Sequence, residues 1–357
     1  MYSHQKAEGD LNKSKTICDN FIPSANGIRG LAVIIVLIAH ALTMFISETR
    51  PYLAGTGKIG VWLFFVLSAF LLTNKFNNSG LNPSSLLNYL ISRIFRIIPI
   101  FIIASIFYYL MGYYDINTLY KVITMQSGYG HLWTIPVEFK FYFALPFFFF
   151  IFKLINSRYG IISLTFLIAT LIIAWQYIFP YTLIPENSID TRWYIPCFLL
   201  GMYTSFLYKL KIKQRDLSKK KYGFPIVICI LCIIFIVPSF SKVIFGFTLI
   251  NELPKSYIPL GLLWCVIIYY SCFDYGFFSK IFSGQFLTKI GNYSFSIYLF
   301  HWFIFIELAN RYPESVSVML IAIVIAACCG WLTFKFIENP IETLRHTIQK
   351  NKRAPSL

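Results

Sequence analysis

The sequence predicts an all-α integral membrane protein with about ten transmembrane helices and with both termini in the cytoplasm. Three observations carry that prediction. Of the 357 residues, 57% are apolar and 13% charged, a composition far from that of an ordinary soluble domain. The apolar residues gather in runs of about 16 to 22, enough to cross a hydrocarbon core, rather than recurring at amphipathic spacing. Lysines and arginines collect between alternate runs, on the side that holds the N-terminus.

Read in order, the runs place spans at 28–47, 58–74, 94–112, 136–155, 160–179, 193–209, 224–239, 256–273, 292–308 and 316–337. Pro238, Pro254 and Pro259 interrupt the seventh and eighth, so 240–250 also reads as a short re-entrant piece. The polar stretch before the first span carries both signs of charge and lacks the form of a cleavable signal peptide. It is expected to be a cytoplasmic tail over 1–25, followed by a membrane domain over 26–340 and a basic cytoplasmic tail over 341–357. No soluble domain is expected after the last span. Such a chain is a multi-pass component of the cell membrane, plasma or inner.

The net charge of +16 has the same origin. Positive-inside asymmetry accounts for it without a nucleic-acid partner, and the Lys209–Lys221 loop is expected to meet anionic membrane lipids. Most of the cysteines lie in spans, where a thiol serves as a small apolar side chain. Cys229-x-x-Cys232 has the spacing of a metal pair but no second pair beside it, so no metal is expected.

Within the apolar runs a few polar residues need a reason. The first span opens Asn26-Gly-Ile-Arg-Gly-Leu-Ala, with Arg29 near its start and His40 deep inside. Eleven residues bring a helix almost back to the same direction, so the two share one face and lie roughly 16 Å apart along the axis. The second span holds Ser68 near its cytoplasmic end, either a nucleophile or a hydroxyl bonded back to its own helix. Ahead of the third, Ser92-Arg93-Ile-Phe-Arg96-Ile-Ile-Pro99 puts two guanidinium forks on one face, as flanking charges or as a seat for phosphate oxygens.

The fourth span is entered through His131-Leu-Trp133-Thr-Ile-Pro136-Val-Glu138-Phe-Lys140-Phe-Tyr142. A carboxylate in the first turn of a span is costly unless paired or wet, and Lys140, two residues on, points to another face. Glu138 is therefore a candidate for function. Arg192 opens the sixth span, either snorkelling or binding an acceptor. In the ninth, Gly291-Asn-Tyr-Ser-Phe-Ser-Ile-Tyr298-Leu-Phe-His301 sets His301 at mid-membrane depth, as a site residue or as a hydrogen bond between helices. The tenth ends in Phe336-Ile-Glu338-Asn-Pro340.

Taken in this order, the stretches resemble the motifs of the acyltransferase-3 family of membrane acyltransferases. They match its Arg followed by ten residues and His, its Arg-x-x-Arg-Ile-x-Pro, its Trp-Ser-Leu-x-Val-Glu-Glu-Gln-Phe-Tyr, its Gly-x-x-Ser-x-x-x-Tyr-x-x-His and its terminal Glu-x-Pro. The resemblance runs from Arg29 to Pro340. Departures are Ala69, where the family has Gly in Ser-Gly-Phe, Pro136, and Phe139-Lys140 in place of Glu-Gln. Trp133, Glu138 and Tyr142 are kept.

The resemblance implies transfer of an acyl group, usually acetyl, from a cytoplasmic acyl coenzyme A to a hydroxyl of a carbohydrate acceptor, a cell-surface polysaccharide or its lipid-linked precursor. On this reading Arg29, Arg93 and Arg96 receive the phosphates of the coenzyme, and His40 takes the acceptor's proton as general base. Glu138 orients the acceptor or polarises the base, with Ser68, Trp133, Tyr142, Arg192 and His301 in binding or supporting roles. An acyl-His40 or acyl-Ser68 intermediate stays open. A saccharide transporter is the competing reading, since it too carries polar residues in its spans, but the chain shows no convincing internal repeat. An oligomer is compatible with the sequence.

Overall fold

The structure, a computed structural model, describes residues 22–213, 222–247, 253–273 and 276–351. The expected N-terminal tail lies almost wholly outside the described residues, as do 214–221 of the basic loop and 352–357. The described residues form helices and connecting turns, with no strand among them.

The longer helices are α1 (Pro23–Phe45), α2 (Gly57–Ser79), α3 (Pro83–Leu110), α4 (Thr134–Ile178), α5 (Ile195–Lys213), α6 (Gly223–Ile236), α7 (Pro238–Phe245), α8 (Tyr257–Ser271), α9 (Gln285–Arg311), α10 (Val316–Thr333) and α11 (Asn339–Asn351). Among the described residues, five helices are long and apolar enough to cross a membrane, and six if α6 and α7, bent by 87°, form one broken span. That is fewer than the ten spans counted from apolar runs. α4 is counted once although it is two helices joined at Gly160, α8 is short, at 15 residues, and α5 and α9 are less apolar.

Local chemistry accounts for the other differences from expectation. Asn82 caps α3 by accepting from the Ser85 N–H at 2.8 Å, while Ser85 Oγ accepts from the Asn82 N–H at 2.9 Å, and Pro83 occupies the first turn. The helix thus starts before the apolar run. Arg93 and Arg96 lie inside it rather than ahead of it. α4 is two helices joined at Gly160, whose φ of +79° only a glycine adopts readily, at the boundary expected between the fourth and fifth spans. The Val237–Pro238 junction breaks the seventh expected span, because proline has no N–H for the helix ladder. Residues 341–351, expected as tail, continue as α11, held by Arg345 on Glu342 and by the Gln349 amide on the Asn88 carbonyl at 3.1 Å.

α1 is the hub of the packing, and glycines set how closely it is approached. A Cβ on Gly27 would fall 1.8 Å from the Phe282 carbonyl oxygen, on Gly30 2.2 Å from that of Leu287, and on Gly291 1.8 Å from that of Asn26. α1 and α9 therefore meet backbone to backbone, the small-residue contact on which helices in lipid rely. Gly60 brings α2 equally near, 2.4 Å from the Ala32 oxygen on the same measure. Any side chain at these positions would force the helices apart.

Candidate functional site

Three open spaces line up along α1, and the polar residues of the spans face them. The first is a basic mouth lined by Arg29, Arg93, Arg96, Lys75, Lys209 and Ser68. A deeper arginine cavity shares Arg29, Arg93, Arg96 and Ser68 with the mouth and adds Glu138, Tyr142 and Tyr298. A third, the histidine cavity, is lined by His40, Lys58, His131, Trp133, Tyr298 and Trp302 among others. Val61 and Tyr298 are walls of both the arginine and the histidine cavities, so these two spaces are neighbours across those side chains.

In the arginine cavity hydrogen bonds run in one direction. Tyr142 donates to Glu138 Oε1, and Ser68 Oγ lies 3.0 Å from the same phenol oxygen, so the Ser68 proton points at Tyr142. The Tyr89 hydroxyl fixes the Tyr142 carbonyl at 2.9 Å, and the Arg93 guanidinium stands 5.7 Å from the centre of the Tyr142 ring. Arg29 reaches only the Asn26 side chain, at 3.5 Å. The ion pairs among the described residues join Arg192 to Asp190, Arg311 to Glu307 and Arg345 to Glu342. None uses Arg29, Arg93 or Arg96.

The histidine cavity is organised by tautomers. His301 is fully buried, and its Nδ1 sits 2.8 Å from the Tyr298 carbonyl, which can only accept. Nδ1 of a neutral His301 therefore carries the hydrogen and Nε2 the lone pair. His40 Nδ1 lies 3.0 Å from that Nε2 and must be the donor, which leaves the lone pair of His40 on Nε2. There Gly57 makes room: a Cβ on it would stand 3.0 Å from His40 Nε2. The rings of His40 and His301 are parallel within 1°, and the edge of Trp302 meets His40 at 5.0 Å between centres.

A model of the family's acyltransferase domain matches residues 22–347. The chain belongs to the acyltransferase-3 family. A Staphylococcus aureus (strain COL) protein bearing a provisional O-acetyltransferase name is 27% identical over 381 residues, covering 92% of this chain and 59% of that protein. The O-acetyltransferase OatA of Staphylococcus aureus (strain NCTC 8325) is 25% identical over 368 residues, covering 92% and 58%. The chain thus spans about three fifths of the length of the curated relatives it matches. No solved structure matches it.

The acyltransferase-3 motifs gain physical meaning in this arrangement. The glycines flanking Arg29, with Gly291, bring α1 against α9, and the same contact puts His301 beside His40. Glu338 of the terminal motif lies in a π-helical turn, Phe334–Glu338, and accepts from the Ser296 hydroxyl at 2.7 Å, tying that turn to α9. Glu138, expected to orient the acceptor or polarise the base, lines the arginine cavity and is not among the residues lining the histidine cavity. The reason is that the 3-10 turn Gly130–Trp133 docks on the middle of α9: Tyr298 donates to the His131 carbonyl at 2.6 Å, and His131 Nε2 donates to the Leu299 carbonyl at 3.1 Å. α4 begins at that depth and carries Glu138 onward to the arginines.

Arg192 is not brought to any of the three cavities. It is exposed and paired with Asp190 at 2.7 Å, and its guanidinium holds the Asp190 carboxyl below the ordinary aspartate range. Two residues of the histidine cavity were not singled out from the sequence. His131 is buried, stacks on Trp302 with ring centres 5.5 Å apart, and leaves Nδ1 without a partner among the described residues. Lys58 is the first residue of the second expected span and lines the same cavity. The available signal for His131 was its place two residues before Trp133, in a stretch that looks like an ordinary loop.

Proposed function

We propose that the protein is a membrane O-acyltransferase that moves an acyl group, most simply acetyl, from acyl coenzyme A on the cytoplasmic side to a hydroxyl of a carbohydrate acceptor. The observation that carries this reading is the shared wall of Val61 and Tyr298, on one side of which lies a space lined by three arginines and on the other a space lined by His40. Phosphates of the donor pair with Arg29, Arg93 and Arg96, whose forks have no carboxylate of their own among the described residues. The pantetheine arm then runs past Ser68, Tyr142 and Tyr298 towards His40.

At His40 the acceptor hydroxyl oxygen bonds to the thioester carbon while its proton passes to Nε2. The carbon–sulfur bond breaks, and the proton returns to the departing thiolate. Because His40 Nδ1 donates to His301, the imidazolium formed in between is anchored through His301 to the Tyr298 carbonyl. A base so placed contributes about 10²–10⁴-fold. Glu138 acts here as a positioning residue, holding Tyr142, and through it Ser68, in the arginine cavity.

The test is release of radiolabelled acetyl from acetyl coenzyme A by the purified protein in lipid, comparing the native chain with His40→Ala and Arg29→Ala. Turnover that needs both residues is expected. Turnover indifferent to both, or uptake of a labelled saccharide into vesicles with no use of donor, overturns the reading in favour of transport.

A further inference from the structure

Resting on that reading, we propose that the acceptor entering the histidine cavity is an acidic saccharide, whose carboxylate or phosphate is held by Lys58 while a neighbouring hydroxyl meets His40. Lys58 has no carboxylate at contact distance among the described residues, and Glu186 acts on it only from across the cavity rim. The lysine is half-buried at the second position of α2, lines the histidine cavity, and makes neither an ion pair nor a side-chain hydrogen bond among the described residues. A cation in the first turn of a helix faces the positive end of the backbone dipole, and a lysine at the edge of a membrane bundle is costly without a partner. An anion from outside the protein would answer both.

The rest of the cavity fits such a molecule. Its charged lining is Arg50 and Lys58 against Glu186 alone, which leaves an excess of positive charge, and Glu186 is exposed at the rim. Two indoles line it: Trp302 is half-buried with one face stacked on His131, and Trp133 is buried, with the Lys58 ammonium 5.6 Å from the centre of its ring. The space, about 460 Å³, lies within the range of small-molecule sites and accommodates a saccharide unit. Lys58 also follows Gly57 directly, the residue against which His40 Nε2 rests. An anion on Lys58 therefore sets the sugar within one lysine side chain of the base.

The experiment uses the full chain in lipid nanodiscs and three probes: a glucuronate-containing disaccharide, glucose 1-phosphate and a neutral glucose disaccharide. Binding is read by tryptophan fluorescence without donor, for the native chain, Lys58→Gln and Lys58→Arg, each checked for native thermal unfolding. At least one charged probe is expected to bind about tenfold or more tighter than the neutral one, with Lys58→Gln abolishing the preference and Lys58→Arg retaining it. Which charged probe is preferred tells a sugar acid from a sugar phosphate. Equal binding of charged and neutral probes, or a loss in Lys58→Gln that falls equally on all three, as for an interfacial anchor, overturns the proposal. Acetyl transfer to the same probes separates the two readings. Transfer without charge preference removes the acidic acceptor and leaves the acyltransferase; charge-dependent binding with no donor turnover removes the acyltransferase and leaves the Lys58 site.

Discussion

On one side of Tyr298, three guanidinium groups line open space with no carboxylate partner among the described residues; on the other, three imidazoles lie close together, each held to a backbone carbonyl or to another imidazole. Both regions keep polar groups inside an apolar bundle, where an unsatisfied one is expensive. They resolve the cost differently. The arginines leave their bonding capacity open, as a region built to receive an anion must. His40 and His301 use theirs on one another and on the Tyr298 carbonyl, which fixes ring orientation and tautomer and leaves lone pairs on His40 Nε2 and on His131 Nδ1. The arginines also come from α1 and α3, which make no glycine-mediated contact, whereas His40 and His301 sit on helices in backbone contact.

The contrast breaks first at His40. His40→Gln is expected to lower the rate of acetyl transfer by about 10²–10⁴-fold and to leave the KM for acetyl coenzyme A unchanged. A change confined to KM would mean that the histidine side binds rather than reacts. Gly291→Val comes next, since its side chain would enter the Asn26 carbonyl. It should cost about 3 kcal/mol of stability, the upper end for overpacking, in thermal unfolding in lipid. An unchanged midpoint would show that α1 and α9 are free to separate.

On the arginine side, Arg96→Ala should raise the donor KM about thirtyfold with little change in kcat, as for a lost charge-assisted contact of about 2 kcal/mol. A fall in kcat alone would place Arg96 with the chemistry. The smallest effect belongs to Arg192 and Asp190, an exposed ion pair that serves as a control for the unpaired arginines. Asp190 is held below its ordinary value of 3.8 by the Arg192 hydrogen bond. Its contribution is thus complete above that value and lost as the pH falls through the lower, folded value. An NMR titration of Asp190 should show a midpoint below 3.8 that returns towards it in Arg192→Gln, with no change in transfer activity near neutral pH.

Much of the site was legible along the chain because it is written in helical spacing. Arg29 and His40 share a stripe of one helix, Arg93 and Arg96 share another, and Tyr298 and His301 lie one turn apart on a third. The span count rests on less, because an apolar run says that a segment avoids water, not whether lipid or protein covers it. That 341–351 is helical was not legible in its polar composition, its charged residues being held by neighbours, Arg345 by Glu342 and Gln349. His131 was missed because a short turn between spans resembles a surface loop unless something shows where it docks.

The chain's composition and periodicity already dictated a helical membrane protein, and its ordered motifs already pointed to the acyltransferase-3 family, because hydrophobic patterning and motif spacing are local properties of a polymer. Folding alone placed Glu138 with the arginines, joined His40 to His301 across 261 positions, and set Lys58 in the same cavity as His40. These are meetings between helices, governed by where glycines let backbones touch and by how deep a turn sinks into the bundle. Neither quantity is carried by any one segment.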